Sequence, residues 1–545
     1  VSDPSRRFNL INEPWIAVRY LDGHSCDVSL RTAFHDAAQI RDIGGELPTQ
    51  SFAILRLLLA IFYRATVSDV EPGWSRDAWQ EDWEDGLPLD LIDEYLDEVS
   101  GRFWLLDPER PFFQVAGLAT AKGEVKDTIS LIMDLPSNNR LFTTRAGVES
   151  LRLPFAEAAR WLVNAQAFDP SGIKSGALGD DRVKGGKGYP IGVAWSGLLG
   201  GIQLEGGSLA QTLLLNLVMP DEGDELSFSR LGDLPVWEQD DPDTAAERGG
   251  HPAGPVRLFT WQSRRIRLVA DGDRIIGCVL ANGDALTPQN QFSHETMTAW
   301  RYSEPQSKKA GATTYMPREH RPERAFWRGI GALLPQHDAG GRSKPPATVN
   351  ALARRQNDGL LAKDLLIRVR AVGVVYGSNN SVVDDIVDDQ LSFSTALLRE
   401  KNAALAAEAE NAVSLAEGGV LALKRLAQNL DRAAGGDGEA PWSRADETAY
   451  AALDGHYRKW LAGLDDTTDP IDAIGAWKAT AYRVIRGLGT ELIRDAGPAA
   501  WAGREVSTPR GTEFITTPRA EAWFLRALRT AFGAPAPHQI KEVLT

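Results

Sequence analysis

Cysteine is nearly absent from this sequence. Among 545 residues only Cys26 and Cys278 occur, which excludes a disulfide framework and any four-cysteine zinc site. Long apolar runs are missing as well. The longest, Phe52 to Tyr63, is interrupted by Arg56 and is too short to cross a bilayer. Asp3, Arg6 and Arg7 stand ahead of Phe8, so the first residues lack the apolar segment of a secretory signal and a cytoplasmic location without membrane attachment is expected. Lysine is scarce, 14 residues against 45 arginines with none before Lys122, and it is clustered. Five lysines fall in two short stretches: Lys174, Lys184 and Lys187, then Lys308 and Lys309.

Signatures of catalysis are missing too. There is no His-Glu-x-x-His, and the eight histidines show no ligand spacing. Gly186-Lys187 looks like the end of a phosphate-binding loop, but Asp181 stands where its first glycine belongs and Gly188 where it needs Ser or Thr. No Gly-x-Ser-x-Gly elbow appears. Asp384, Asp385, Asp388 and Asp389 imitate a metal site, and the alternative function they suggest is a metal-dependent nuclease subunit. At that spacing, solvated acids in the first turn of a helix are the expectation. No enzyme, no cofactor and no metal site is therefore expected.

What is present describes a globular protein: 43% apolar and 24% charged residues, at a length that calls for two or three domains. The formal charge of −15 and a pI near 5.2 argue at first against a nucleic-acid partner. The charge is unevenly placed, however. Residues 69–98 carry −11 and residues 221–247 carry −9, so the remainder carries +5. An anionic partner remains compatible with that remainder.

Residues 1–380 mix short β-like runs with helices, whereas residues 381–545 show helical spacing. The fold class expected is α+β: a mixed N-terminal domain of small sheets and helices, then a C-terminal antiparallel four-helix bundle. Trp15 to Val18 and Arg257 to Val269 read as strands, and Pro48-Thr49-Gln50 opens a helix with a buried face. The C-terminal helices are expected over Leu391–Val413, Leu415–Ala433 and Ser443–Leu464. A further one runs from Asp469-Pro470 to about Asp495, and a last begins at Thr517-Pro518.

Three segments suit binding. Arg301 to Arg328 holds seven bases against three acids, and its Pro305 to Gly311 stretch reads as a turn presenting Lys308 and Lys309. In Phe168 to Gly176, small residues would let backbone N–H groups approach an anion or a base-pair edge, with Lys174 supplying charge. Tyr376 to Ser381 offers amide donors and acceptors in a turn.

These segments occur in one chain with Phe8-Asn9-Leu10-Ile11-Asn12-Glu13-Pro14-Trp15-Ile16, Gly45-Glu46-Leu47-Pro48-Thr49-Gln50 and Asp107-Pro108-Glu109-Arg110-Pro111-Phe112-Phe113-Gln114. Further on come Trp261-Gln262-Ser263-Arg264-Arg265-Ile266-Arg267-Leu268 and Trp300-Arg301-Tyr302-Ser303-Glu304. In this order the motifs resemble the large subunit of Cascade, the type I-E CRISPR surveillance complex, over nearly the whole chain. The resemblance implies a non-catalytic antiviral-defence subunit that recognises a protospacer-adjacent motif (PAM) in double-stranded DNA from the minor groove. Such a subunit wedges the duplex open to start R-loop formation and recruits the helicase-nuclease effector.

The resemblance also implies site residues. A glycine loop falls on Ser171, Gly172, Ile173 and Lys174, a lysine finger on Lys308 and Lys309, and a wedge on Asn379, Asn380 and Ser381. A loop for the guide RNA's 5′ handle and the backbone subunit falls on Met133, Asp134, Leu135, Pro136, Ser137, Asn138, Asn139 and Arg140. The implied partners are CRISPR guide RNA, duplex target DNA, the helicase-nuclease, and the backbone, handle-binding and small subunits of the ribonucleoprotein complex. The wedge here has Asn380, shorter than the glutamine of some members, and Asp169-Pro170 replace glycines in the loop.

Overall fold

The computed structural model describes residues 7–66, 76–133, 135, 145, 151–219, 226, 232–239, 244–334, 341–363, 365–508 and 511–533. It forms two compact units. The larger comprises residues 1–324, 338–355 and 367–390, and the smaller residues 325–337, 356–366 and 391–545. The sequence pattern suggests one cut after residue 380; the division here falls after Gln390, and two earlier segments group with the C-terminal helices.

In the larger unit, strand β1 (Ile16–Tyr20) lies between the strands Ser25–Val28 and Ile40–Ile43. Helix α1 (Pro48–Thr66) is buried almost all round. Its one interior base, Arg56, makes a two-pronged pair with Glu295, both contacts at 2.8 Å. Arg56 also stacks on Phe259 at 4.3 Å, so the buried charge is matched and covered. Helix α2 (Phe155–Phe168) packs beside α1 and leads directly into the glycine loop.

Strand β2 (Gly201–Glu205), of five buried residues, forms one edge of a three-stranded sheet. Strands β3 (Arg264–Asp271) and β4 (Arg274–Asn282) form an antiparallel hairpin. Of the run expected as strand over Arg257–Val269, the first part is a short helix, Pro255–Phe259. Pro255 at its first turn lacks the N–H that a strand ladder would need.

Strand β5 (Trp300–Tyr302), helix α3 (Glu304–Ala310) and strand β6 (Tyr315–Pro317) make a compact βαβ excursion in which β5 and β6 pair antiparallel. Long strands β7 (Leu366–Tyr376) and β8 (Val383–Ser394) complete the sheet, with β7 between β2 and β8.

In the smaller unit, helix α4 (Ala403–Ala434) is a single 32-residue element. The sequence pattern predicts two helices meeting near Ser414 in this region, and residues Leu391–Ser394 belong to β8 instead. Helices α5 (Glu439–Ala462), α6 (Pro470–Arg494) and α7 (Thr517–Phe532) complete a four-helix bundle, with a hairpin of β9 (Arg504–Thr508) and β10 (Gly511–Ile515) before α7. Cross-helix contacts fix its sense. Ala409 accepts from Tyr457 Oη at 2.8 Å and Lys424 pairs with Asp446 at 2.6 Å, so α4 and α5 run antiparallel. Trp460 Nε1 reaches Ala473 O at 3.0 Å where α5 turns into α6, and Tyr482 meets Phe532 where α6 faces α7. Gly419 sits where a Cβ would meet the Phe532 ring at 2.6 Å, so the glycine inside α4 is a close-approach point for α7 rather than a break. Asp469 caps α6 by accepting from Ile471 N and Asp472 N at 2.9 and 3.0 Å, as its sequence predicts.

Candidate nucleic-acid interface

All three segments that the sequence suggests for binding lie in the larger unit and hang from one scaffold, the β2–β7–β8 sheet. The wedge segment is the connection from β7 to β8. Ser378–Asn380 makes a tight turn in which Asn380 N donates to Gly377 O at 2.9 Å and Ser381 Oγ donates to Ser378 O at 2.8 Å. Asn379 and Asn380 both have left-handed backbones, φ +53° and +55°. Asn tolerates that region because its short amide offsets part of the steric cost. Asn379, Asn380 and Ser381 are all exposed.

The glycine loop leaves the C-terminus of α2 and touches this turn. Ser171 N donates to Asn380 O at 2.8 Å, and a Cβ on Gly172, whose φ is +129°, would lie 3.9 Å from Ser381 Cβ. Tyr376, the last residue of β7, donates its hydroxyl to Phe168 O at 2.6 Å beneath both segments. Ser171 is buried, Gly172 half-buried and Ile173 54% exposed, so the loop offers a small backbone surface beside an apolar side chain.

Lys174 is turned inward. Its ammonium lies 2.6 Å from Asp169, with side chains 10% and 7% exposed. Arg264, 1% exposed, also pairs with Asp169. The guanidinium of Arg264 donates to Asp169 O at 3.1 Å, Pro170 O at 3.0 Å and Gly192 O at 2.9 Å, tying the backbone of the loop to β3. Burial is the main cause that holds the Lys174 amine below its ordinary pKa. Attraction to Asp169 opposes this, and repulsion from Arg264 adds to it. Arg264 was within reach of sequence reasoning only as part of the Trp261 to Leu268 motif, and nothing in its spacing singled it out as the loop's anchor.

The expected lysine turn is instead the helix α3. Pro305 in its first turn, Glu304 near its start and Gly311 in the left-handed region at its end, φ +68°, are ordinary helix signals. Lys308 and Lys309 occupy its last turn, both exposed. Lys308 pairs with Glu304 one turn back at 2.7 Å, while Lys309 has no side-chain partner among the described residues. The excursion is held to the sheet through Ile202 N on Met297 O at 2.7 Å and through His320 Nε2, which donates to Gly201 O at 3.0 Å.

The carboxylates Asp384, Asp385, Asp388 and Asp389 lie on strand β8, not at a helix start. Strand alternation sends Asp384 and Asp388 to one face and Asp385 and Asp389 to the other, and Asp388 is engaged by Arg370 at 2.6 and 2.9 Å. Among the described residues no group of three or more His, Cys, Asp or Glu is arranged to hold a metal ion. In the segment expected to engage guide RNA, Met133 and Leu135 are buried, with Met133 Sδ accepting from Asn164 Nδ2 at 3.4 Å. Asp134, Pro136, Ser137, Asn138, Asn139 and Arg140 lie outside the described residues.

The family model described as CRISPR-associated protein Cse1 matches residues 9–488. The chain belongs to the Cse1 family. This is the family of Cascade large subunits that its motifs resemble. The crystal structure of Cse1 from Thermobifida fusca is similar at a TM-score of 0.88 and 43% identity, covering 97% of this chain and 98% of that one. CasA/Cse1 of Thermus thermophilus is 28% identical over 521 residues, 90% of this chain and 95% of its own length. A chain of a CRISPR RNA-guided surveillance complex has the same fold, with a TM-score of 0.67 at 19% identity, covering 96% of this chain and 99% of that one. Cse1 membership accounts for the mixed unit followed by helices, and no helix among the described residues is long and apolar enough to cross a membrane.

Proposed function

We propose that this Cse1 is a non-catalytic subunit of an RNA-guided complex that recognises a short motif in duplex DNA from the minor groove and starts strand separation there. The observation that carries this reading is the hydrogen bond from Ser171 N to Asn380 O, which makes the glycine loop and the wedge turn one exposed edge. Minor-groove patterns are degenerate, so a few backbone groups and one lysine suit tolerant recognition of a short motif. Lys309, exposed and without a side-chain partner among the described residues, is the finger lysine. Lys308 shares its charge with Glu304.

Sequence specificity then rests on pairing with the guide RNA, and opening each base-pair step costs about 1.4 kcal/mol, recovered as the heteroduplex forms. Asn379 and Asn380, projecting from a turn braced at both ends, suit a wedge that tips this near balance without hydrolysis. Guide RNA, the other Cascade subunits and a recruited helicase-nuclease are the partners this reading implies, in a cytoplasmic complex.

The test is to replace Asn379, Asn380 and Ser381 with Gly in the assembled complex. 2-Aminopurine fluorescence next to the motif should show opening reduced more than initial binding. Normal opening would refute the wedge. The nuclease alternative fares worse, because its four carboxylates are split between two strand faces. An assay of the chain with Mn²⁺ or Mg²⁺ on duplex DNA should show no cleavage.

A further inference from the structure

Lys184 and Lys187 have no part in the site above. They flank Gly185 and Gly186, whose φ values of +59° and +74° form a tight turn. It is closed by Lys184 N on Lys187 O and Lys187 N on Lys184 O, each at 3.1 Å. The two lysines therefore face each other as a cross-strand pair. Both are exposed, and neither has a side-chain partner among the described residues. Like charges directly opposite in a hairpin destabilise it, so this pair carries a cost that a bound anion would remove.

The turn is also fixed in position. Ser175 pairs with Lys187 and Lys174 with Gly188, so its base is the strand that continues the glycine loop. Gly176 passes so close that a Cβ there would lie 2.3 Å from Gly186 O. Asn282 Nδ2 holds Tyr189 O at 2.6 Å on the far side. Of the two acids in this segment, Asp180 is engaged by Arg182 at 2.9 and 3.0 Å, which leaves Asp181 exposed.

We propose that the Lys184–Lys187 turn is a second contact to duplex DNA, to the phosphate backbone alongside the motif. This rests on the reading of the glycine loop as the motif-contacting element. At about 3.3 Å per residue along a strand and about 5 Å across a ladder, the turn lies roughly 10–15 Å from Gly172. A duplex presents a phosphate about every 3.4 Å of axis on each strand, so one seated on the glycine loop brings several phosphates within reach of both ammonium groups. Lysine acts there as a point charge, adding affinity and register without reading sequence.

The experiment measures equilibrium duplex binding by the assembled complex carrying Lys184→Ala plus Lys187→Ala over a range of salt concentrations. The expected result is a log–log salt slope smaller by about 1.8, at about 0.9 for each phosphate no longer neutralised. Affinity should fall equally for motif-bearing and motif-scrambled duplexes. Lys184→Arg plus Lys187→Arg should keep the parental slope, and the alanine variant should melt no lower than the parent. An unchanged slope, with Lys309→Ala lowering it, would overturn the hairpin contact and leave the motif reading standing. A smaller slope for the alanine variant, with Lys309→Ala binding as the parent, would keep the phosphate contact and remove the reading that places it beside the motif. Weakening confined to the motif-bearing duplex would overturn the claim of a sequence-blind contact.

Discussion

Removing the three charges beneath the glycine loop one at a time should give sharply unequal results. Asp169, Lys174 and Arg264 form a buried cluster with one negative and two positive groups. Asp169→Asn leaves two cations buried with no counter-ion, which should cost about 3–5 kcal/mol. Arg264→Met leaves the Asp169–Lys174 pair but removes the donors to the carbonyls of Asp169, Pro170 and Gly192. Asp169 O keeps a second donor, Ala194 N at 2.9 Å, so the loss should be about 2–4 kcal/mol. Lys174→Met leaves a matched Asp169–Arg264 pair and relieves the burial of an ammonium, so stability should change by no more than about 1 kcal/mol. The folded chain holds the Lys174 pKa below its ordinary value. The unfolded chain therefore binds the extra proton as pH approaches about 10.4, and the parent should gain stability relative to Lys174→Met over that range. The urea transition of the larger unit, followed separately from that of the helical unit, gives the order; the assembled complex carrying Lys174→Met should keep its parental salt slope for duplex binding. Destabilisation by Lys174→Met equal to that by Asp169→Asn would refute the charge count. A slope smaller by about one would show that Lys174 contacts phosphate after all.

Three further outcomes follow from single contacts. Glu304→Gln frees Lys308 from its partner at 2.7 Å and should tighten duplex binding and steepen its salt dependence; weaker binding would count against α3 as the finger. Tyr376→Phe removes the bond to Phe168 O at 2.6 Å and should cost about 1–2 kcal/mol in urea unfolding, with motif discrimination reduced. Burial pushes the His320 imidazole below its ordinary value. The unfolded chain therefore takes up a proton first as pH falls below about 6.5, and stability present above that pH is lost on acidification. His320→Gln should flatten this acid limb, and an unchanged pH profile would be the contrary result.

The parts of the chain legible in its sequence are those set by local signals. Pro48 to Gln50 ahead of a continuous apolar face announce α1, and Asp469-Pro470 announces the start of α6. Where the structure departs, a distant partner decides. Asp384 to Asp389 have the look of a helix start, yet β7 recruits that stretch into a ladder, and the acids become the charged fringe of a sheet edge. The two-helix pattern around Ser414 gives way to one helix because α7 lies against α4 at Gly418 and Gly419. Lys174 reads as a solvent-facing base because the pocket that buries it with Asp169 is completed by Arg264, about ninety residues away, which shares that carboxylate. The α3 helix has local signals of its own that its turn-forming residues disguise: Pro305 and Gly311 suit a turn, but Pro at a first turn and Gly after a last turn also bracket a helix.

The bond between Ser171 and Asn380 joins positions more than two hundred residues apart, and Tyr376 to Phe168 spans nearly as far. Contacts of that sequence separation close large loops, and the entropy of that closure must be met before they form. The edge proposed to meet DNA thus needs both stretches of the larger unit in place before it exists. Nascent or partly folded chains lack it, so a half-made subunit entering the complex would be silent toward DNA rather than wrongly active.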